Sequence, residues 1–138
     1  MPSRHSVSGP VVAILLASLT LFVFASNQAT GPEGALHRFF RAVSERRPDR
    51  ALAATGGLDS PSLRWLYGES SAVFGMGGRY AVLEIRREGD HAHAVVLFQY
   101  PNGYEETTVW MLYRKQSTWY VHPEMTAYFF GQGTLGVQ

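Results

Sequence analysis

The chain has 138 residues and no cysteine, and 12 Lys and Arg against 11 Asp and Glu give it a formal net charge of +1. The absence of cysteine excludes disulfides, thiolate nucleophiles, sulfur-ligated zinc or iron, and lipoprotein acylation. The balanced charge offers no electrostatic footprint for nucleic acid, so no nucleic-acid partner is expected. With 46% hydrophobic residues, the chain is able to fill the core of one domain.

The first predicted element is an uncharged apolar run over residues 11–25, which follows Arg4. As a helix it spans about 23 Å, which is short against a hydrocarbon core of roughly 30 Å and typical of a secretory signal. Val23-Phe24-Ala25 is a passable cleavage site, but flanking residues lengthen the run enough for an uncleaved anchor with Arg4 inside. Residues 1–25 are therefore predicted to be a signal peptide or a single-pass membrane anchor. The rest of the chain is then expected on the extracytoplasmic side of the cell membrane, or in the periplasm or outside the cell after cleavage.

A polar connector, residues 26–31, leads to a domain predicted over residues 32–124. Thr30, Pro32 and Glu33 form a capping-box pattern that predicts a helix start. The apolar residues that follow recur at helical spacing and predict a buried stripe: Leu36, Phe39, Phe40 and Val43. His37 lies beside this stripe, at the expected edge of the core.

Two further helical pieces are predicted before the sheet. Pro48-Asp49 interrupts the first helix, and a short second piece follows it and ends before Gly56-Gly57. Ser60 and Pro61 supply a cap and a first-turn proline for a third helix that continues through Tyr67. The stretch over residues 69–74 is ambiguous. The arginines of the first helical region, Arg38, Arg41, Arg46, Arg47 and Arg50, are either a solvated helix face or a face turned toward anionic lipid headgroups.

From Tyr80 onward the apolar period changes to two, which predicts strands. In the first strand Ala81, Leu83 and Ile85 are expected to face the core. Turns at residues 88–90, 101–103 and 115–117 separate four strands, which predicts an antiparallel meander. The fold class is therefore α+β, with the helices packed on one face of a curved four-stranded antiparallel sheet.

This order of elements resembles the nuclear transport factor 2 (NTF2) superfamily, whose cone-shaped α+β fold includes ketosteroid isomerase and many small exported bacterial domains. The resemblance covers residues 30–124 and is carried by the paired Phe39-Phe40, the short second helical piece and the hairpins. The stretch over residues 104–114, followed by a tight turn and Trp119-Tyr120-Val121, resembles the closing hairpin of exported, membrane-tethered members. The resemblance implies a cone-like interior in which a ligand pocket or an active site could lie.

Candidate pocket residues are Asp59, Tyr67, Tyr80 and Tyr113, although their spacing does not commit them to one cavity. Ketosteroid isomerase, the enzyme that the resemblance suggests, uses an acid or base beside an oxyanion donor inside apolar walls. This chain departs from that pattern because its first helix presents phenylalanines and no tyrosine. The expected function is accordingly a non-catalytic binding domain, and the alternative is a small cavity enzyme of ketosteroid isomerase-like type. No cofactor is expected.

His91 and His93 are two residues apart on a strand and share one face, and His122 is the possible third ligand of a metal. In a meander the second and fourth strands are about 9.6 Å apart, which is too far for one metal ion. The opposite face of the second strand is apolar, so both histidines are expected to point away from the core. No metal site is predicted.

The last predicted segment is an aromatic C-terminal tail over residues 125–138, which contains Tyr128, Phe129 and Phe130. These rings either pack back across the mouth of the cone or form an exposed patch for another protein. A partner surface is expected to include them together with Trp110, and an envelope protein is the expected partner. The resemblance also implies a homodimer through the sheet, with Trp110 and Tyr104 as possible contacts.

Overall fold

The structure, a computed structural model, describes residues 30–133 of the chain. Helices α1 (Pro32–Ser44), α2 (Pro48–Ala54) and α3 (Pro61–Gly75) come first along this part. Strands β1 (Arg79–Glu88), β2 (His91–Gln99), β3 (Glu105–Lys115) and β4 (Thr118–Val121) follow, and helix α4 (Pro123–Gly133) comes last. The strands form one antiparallel sheet in the order β1-β2-β3-β4. The predicted α+β class and the four-stranded meander are confirmed, and this is the architecture that the resemblance implies.

The predicted signal or anchor over residues 1–25 lies outside the described residues, as does most of the connector. Between residues 30 and 133, no helix is both long enough and apolar enough to cross a membrane.

Helix α1 begins at Pro32, as its sequence predicts, but the predicted threonine cap is wrong. The N-cap residue is Gly31, which has no side chain with which to cap the helix. Glu33 interacts instead with His37 one turn later, at 3.3 Å. The apolar stripe is buried as predicted, because Leu36, Phe39, Phe40 and Val43 are each at most 1% exposed.

Prolines begin the next two helices. Arg46 adopts a left-handed conformation with φ of 56°, and the Arg47 N–H donates to the carbonyl of Ala42 at 2.8 Å. This geometry ends α1 and allows Pro48 to start α2 at once. Ser60 caps α3 as predicted, since its hydroxyl accepts a hydrogen bond from the Leu63 N–H at 3.2 Å. The ambiguous stretch over residues 69–74 is helical, as the last part of α3.

The buried face of the sheet is continuous across the strands and lies against the helices. Its side chains are at most 3% exposed and come from three strands: Ala92, Ala94, Val96, Phe98, Thr108, Trp110, Leu112, Trp119 and Val121. Strand β2 alternates between this face and the opposite one, which carries the exposed His91 and the half-buried His93. The predicted direction of these two histidines is confirmed.

Strand β1 faces the core with a different set of residues from the predicted one. Its pairing with β2 shifts between Val82 and Glu84, which places a β-bulge at Leu83. Tyr80, Val82 and Ile85 pack against the core, whereas Leu83 is 58% exposed. The prediction that Ala81, Leu83 and Ile85 share the buried face is therefore wrong, because the extra residue of the bulge reverses the alternation.

Helix α4 replaces most of the tail that the sequence predicted from residue 125. It begins at Pro123, directly after β4, and packs against β3 and α3. The Met111 N–H donates to the Thr126 hydroxyl at 2.9 Å, and Thr126 is 0% exposed. Strand β4 pairs with β3 only from Leu112 to Lys115, so α4 covers strand edge that β4 leaves open. The folded unit therefore extends beyond the predicted boundary at residue 124.

Candidate functional site

A chain of three polar side chains connects helix α1 to strand β1. The imidazole of His37 lies with Nδ1 2.6 Å from the Tyr80 hydroxyl and with Nε2 3.3 Å from a carboxylate oxygen of Glu33. A carboxylate only accepts hydrogen bonds, so Nε2 carries the proton that it donates to Glu33. In the neutral tautomer that donates from Nε2, Nδ1 is the acceptor and the Tyr80 O–H donates to it.

Two of these three side chains, Glu33 and His37, are on α1. They are one helical turn apart, so they share a helix face. Tyr80 reaches them because it is on the helix-covered face of β1, before the bulge. Its ring packs on Phe40, with ring centroids 4.4 Å apart, and also approaches Phe74 at 6.1 Å. The aromatic contacts fix the phenol ring and so aim its hydroxyl at His37.

Burial raises the pKa of Tyr80 above its ordinary value of 10.0. The guanidinium of Arg41 opposes this rise in the pKa, and the carboxylate of Glu33 adds to it. The phenol therefore stays protonated at neutral pH and acts as a hydrogen-bond donor rather than as a phenolate nucleophile.

These side chains border an open hollow of about 360 Å³ between α1, α3 and β1. We call it the Tyr80 hollow, and its lining residues are His37, Phe40, Arg41, Ser44, Glu45, Phe74 and Tyr80. Aromatic walls, one cation, one carboxylate and a few hydrogen-bonding groups are compatible with a small-molecule site. The side chains of His37 and Glu33 are 44% and 33% exposed, so solvent and solutes reach the polar chain.

The four pocket residues predicted from sequence are not brought into one pocket. Asp59 and Tyr67 share a separate hollow of about 210 Å³ beside α2 and α3. Tyr113 lies elsewhere, because it alternates along β3 with the buried Leu112 and points away from the core face. Its hydroxyl donates to the carbonyl of Thr55 at 2.6 Å, and burial raises its pKa, with a smaller contribution from Tyr120. Tyr113 thus anchors the α2–α3 loop.

Glu33 and His37 were not predicted to be site residues. Their i,i+4 spacing is a weak signal in the sequence, since such a pair also occurs on ordinary solvated helices. Tyr80 follows His37 by 43 positions, and only the packing of β1 against α1 joins them.

The predicted partner surface is divided by the structure. Trp110 is 0% exposed, and its indole N–H donates to the Thr108 hydroxyl at 2.9 Å. Its assignment to a partner surface is wrong, because its side chain is on the sheet face that the helices cover. Phe130 packs between Trp65 and Trp110, at centroid distances of 5.3 and 6.0 Å.

Tyr128 remains 61% exposed, and its ring contacts that of Phe129 edge-on at 5.2 Å. Tyr104, the other suggested dimer contact, is 60% exposed. The homodimer and the envelope partner stay predictions.

The histidines do not converge within the described part of the chain. Nδ1 of His122 accepts a hydrogen bond from the Met125 N–H at 3.2 Å, at the start of α4. Across residues 30–133, no group of three or more His, Asp or Glu side chains is placed to hold a metal ion.

Comparison with known proteins gives no family model and no curated protein that matches this chain. Several solved structures are similar to it. One is a Campylobacter jejuni protein described as an NTF2-like transpeptidase. Its sequence is 18% identical, the alignment covers 66% of this chain and 96% of that chain, and the TM-score is 0.49. Another is a SEC-C motif-containing protein from Rhodopseudomonas palustris, with 17% identity, coverage of 67% and 76%, and a TM-score of 0.42.

Proposed function

We propose that this protein is a non-catalytic domain on the extracytoplasmic side of the cell membrane, and that it binds a small ligand in the Tyr80 hollow. The observation that carries the proposal is the hydrogen-bonded chain Glu33–His37–Tyr80, which ends at the aromatic wall of that hollow. The apolar run over residues 11–25, which the sequence predicts to be a signal or an anchor, supports the location. An envelope protein partner and a homodimer through the sheet are compatible with this role.

The lining of the hollow supports a ligand with a flat apolar body and an oxygen acceptor. The partly exposed rings of Phe74 and Tyr80 provide the apolar contact, and the buried Phe40 packs behind them. The Tyr80 hydroxyl can rotate from His37 to an incoming oxygen, since a phenol proton turns about its C–O bond. The lining contains one guanidinium, that of Arg41, and one carboxylate, that of Glu45. The guanidinium is the group that would pair with an anionic oxygen such as a carboxylate.

The composition of the interior supports binding over catalysis. The space between sheet and helices is occupied by large side chains, among them Phe39, Phe98 and Trp110, each at most 1% exposed. Between residues 30 and 130 the buried polar side chains are all hydroxyl-bearing: Thr55, Ser60, Ser70, Thr108 and Thr126. An isomerase-like mechanism needs a carboxyl or imidazole group inside apolar walls, and none of these residues supplies one.

Benzoate is a suitable probe, because it joins a flat ring to a carboxylate. We expect benzoate to shift the NMR signals of His37 and Tyr80 in the full-length protein in dodecyl maltoside micelles. Tyr80→Phe keeps the ring but removes the hydroxyl, and should weaken binding on the order of tenfold, as expected for one lost hydrogen bond. Tyr104→Phe, a matched change on an exposed ring elsewhere, should leave the affinity unchanged. Benzoate binding that is equally strong in Tyr80→Phe would contradict the proposed site.

A further inference from the structure

A second hollow lies on the other side of Arg41, between α1 and α2. Its volume is about 350 Å³. We call it the arginine hollow, and its lining residues are Arg38, Arg41, Ala42, Glu45, Arg50, Ala53 and Ala54. Three guanidinium groups therefore surround a space that contains one carboxylate, so the lining carries a clear excess of positive charge.

The three arginines are held to different degrees. Nη2 of Arg38 donates to the carbonyl of Trp119 at 2.9 Å, which fixes this guanidinium beside β4. Arg50 donates to Glu45 at 3.5 Å, but the two side chains are 57% and 48% exposed, so the ion pair is weak. Arg41 forms no side-chain hydrogen bond or ion pair with residues 30–133, and its charge acts on Tyr80 only at a distance.

Small side chains make this site concave. Ala42 and Ala54 are 1% and 4% exposed and form its floor, where α1 and α2 pack together. A longer side chain at either position would fill the space between the arginines. The result is an open depression with an apolar floor, bordered by the exposed side chains of Arg38, Arg41 and Arg50.

We propose that the arginine hollow binds a phosphate group. A guanidinium presents its N–H donors in a planar fork that matches two oxygens of a phosphate, so several arginines around one hollow suit this ligand better than lysines would. The phosphate can belong to a soluble phosphate ester or to the headgroup of an anionic lipid, since both present the same oxygens. This inference does not depend on the ligand of the Tyr80 hollow.

Calorimetric titration with inorganic phosphate tests the proposal on the full-length protein in dodecyl maltoside, a detergent without phosphate. We expect Arg41→Gln and Arg50→Gln each to weaken phosphate binding on the order of tenfold. Glu45→Gln should tighten it several-fold, because it removes the competing carboxylate, and a misfolded variant would not produce this gain. Tyr80→Phe should leave phosphate binding unchanged, which separates this site from the proposed function.

The matched control is Arg46→Gln, which removes the same charge at the end of α1 from a residue that does not line the hollow. Its phosphate affinity should stay within about twofold of the wild-type value, as expected for a long-range charge effect screened by salt. The proposal is overturned if the wild-type protein does not bind phosphate, or if Arg46→Gln loses as much affinity as Arg50→Gln.

Nanodiscs distinguish the two sources of phosphate. If a lipid headgroup is the occupant, discs rich in phosphatidylglycerol should suppress the binding of inorganic phosphate, whereas phosphatidylcholine discs should not. Equal phosphate affinity in both kinds of disc would assign the hollow to a soluble phosphate compound. Either result retains the phosphate site and names its source.

Discussion

At the scale of single residues, the sharpest constraint lies at Gly56, where the loop after α2 meets the sheet. Gly56 and Gly57 both have positive φ, 73° and 84°. A Cβ atom on Gly56 would collide with the hydroxyl of Tyr113, whereas one on Gly57 would have nothing within 4 Å. At position 56, both the contact with Tyr113 and the backbone conformation require glycine. At position 57, only the backbone conformation does.

The pair allows a controlled stability measurement. Both Gly56→Ala and Gly57→Ala place a side chain in the left-handed region, which costs about 1 kcal/mol. Gly56→Ala must also displace the Tyr113 hydroxyl from its hydrogen bond to Thr55, so we expect a total loss of about 2–4 kcal/mol. Urea unfolding of the two variants measures the difference. Equal losses would show that the Tyr113–Thr55 contact contributes nothing to stability.

Tyr113 and Tyr80 illustrate why residue identity alone did not locate the site. Both are half-buried tyrosines whose hydroxyls are hydrogen-bonded at 2.6 Å. One donates to a backbone carbonyl and holds a loop, whereas the other donates to an imidazole beside an open hollow. The difference arises from the partner that the fold brings to each ring.

At the scale of elements, strand β1 shows how one extra residue changes the pattern. The sequence from Tyr80 to Ile85 is apolar at nearly every position, so alternation alone does not specify which residues face the core. The bulge at Leu83 allows Tyr80, Val82 and Ile85 all to contact the helices. It also disturbs the regularity of an edge strand, which discourages pairing with another chain.

Alanine substitutions at neighbouring positions test this register. Val82→Ala removes methyl groups packed against the core, and should lower the free energy of unfolding by about 1–2 kcal/mol. Leu83→Ala removes a larger side chain, but one that is 58% exposed. It should change the free energy of unfolding by less than about 0.5 kcal/mol. Chemical unfolding of both variants provides the comparison. A larger loss for Leu83→Ala would favour the simple alternation predicted from the sequence.

The segment that forms helix α4 was predicted to be a tail because its sequence carries only weak helix signals. Pro123 and Glu124 suit a first helical turn, but the run of rings at residues 128–130 has no clear polar face. The helix is stabilised by tertiary contacts: Thr126 bonds to the backbone of Met111, and Phe130 packs on Trp110. Because β4 is only four residues long, β3 would otherwise be left with an uncovered edge.

At the scale of the whole molecule, the half-buried tyrosines make the free energy of unfolding depend on pH in the alkaline range. The pKa values of Tyr80 and Tyr113 are raised above 10.0 in the folded protein, mainly by burial. Between the unfolded and the folded pKa, the folded state therefore binds more protons than the unfolded state. This contribution to stability is complete below pH 10 and is lost as the pH rises through the folded pKa values.

The measurement is the free energy of unfolding of the wild-type protein and of the double variant Tyr80→Phe, Tyr113→Phe, each at pH 8 and pH 11. We expect the wild-type protein to lose more stability between these two pH values than the variant does, because phenylalanine does not titrate. An identical loss in both proteins would assign the alkaline dependence to other groups.

The sequence by itself determined most of the architecture. Prolines and turn residues located the starts of α1 and α3 and the three hairpins, since these residues act through local backbone geometry. The spacing of Leu36, Phe39, Phe40 and Val43 identified the buried face of α1, because helical periodicity follows from the helix itself. Likewise, the alternation in β2 separated its apolar residues from His91 and His93.

Only the tertiary structure decided which of these residues act together. The bulge in β1, the burial of Trp110 and the docking of α4 all depend on contacts between segments distant in the chain. The same holds for the Glu33–His37–Tyr80 chain and for the meeting of Arg38, Arg41 and Arg50 around one hollow. Local patterns report what a segment prefers, whereas a site is formed by the distances between segments, and those distances are set by how the whole core packs.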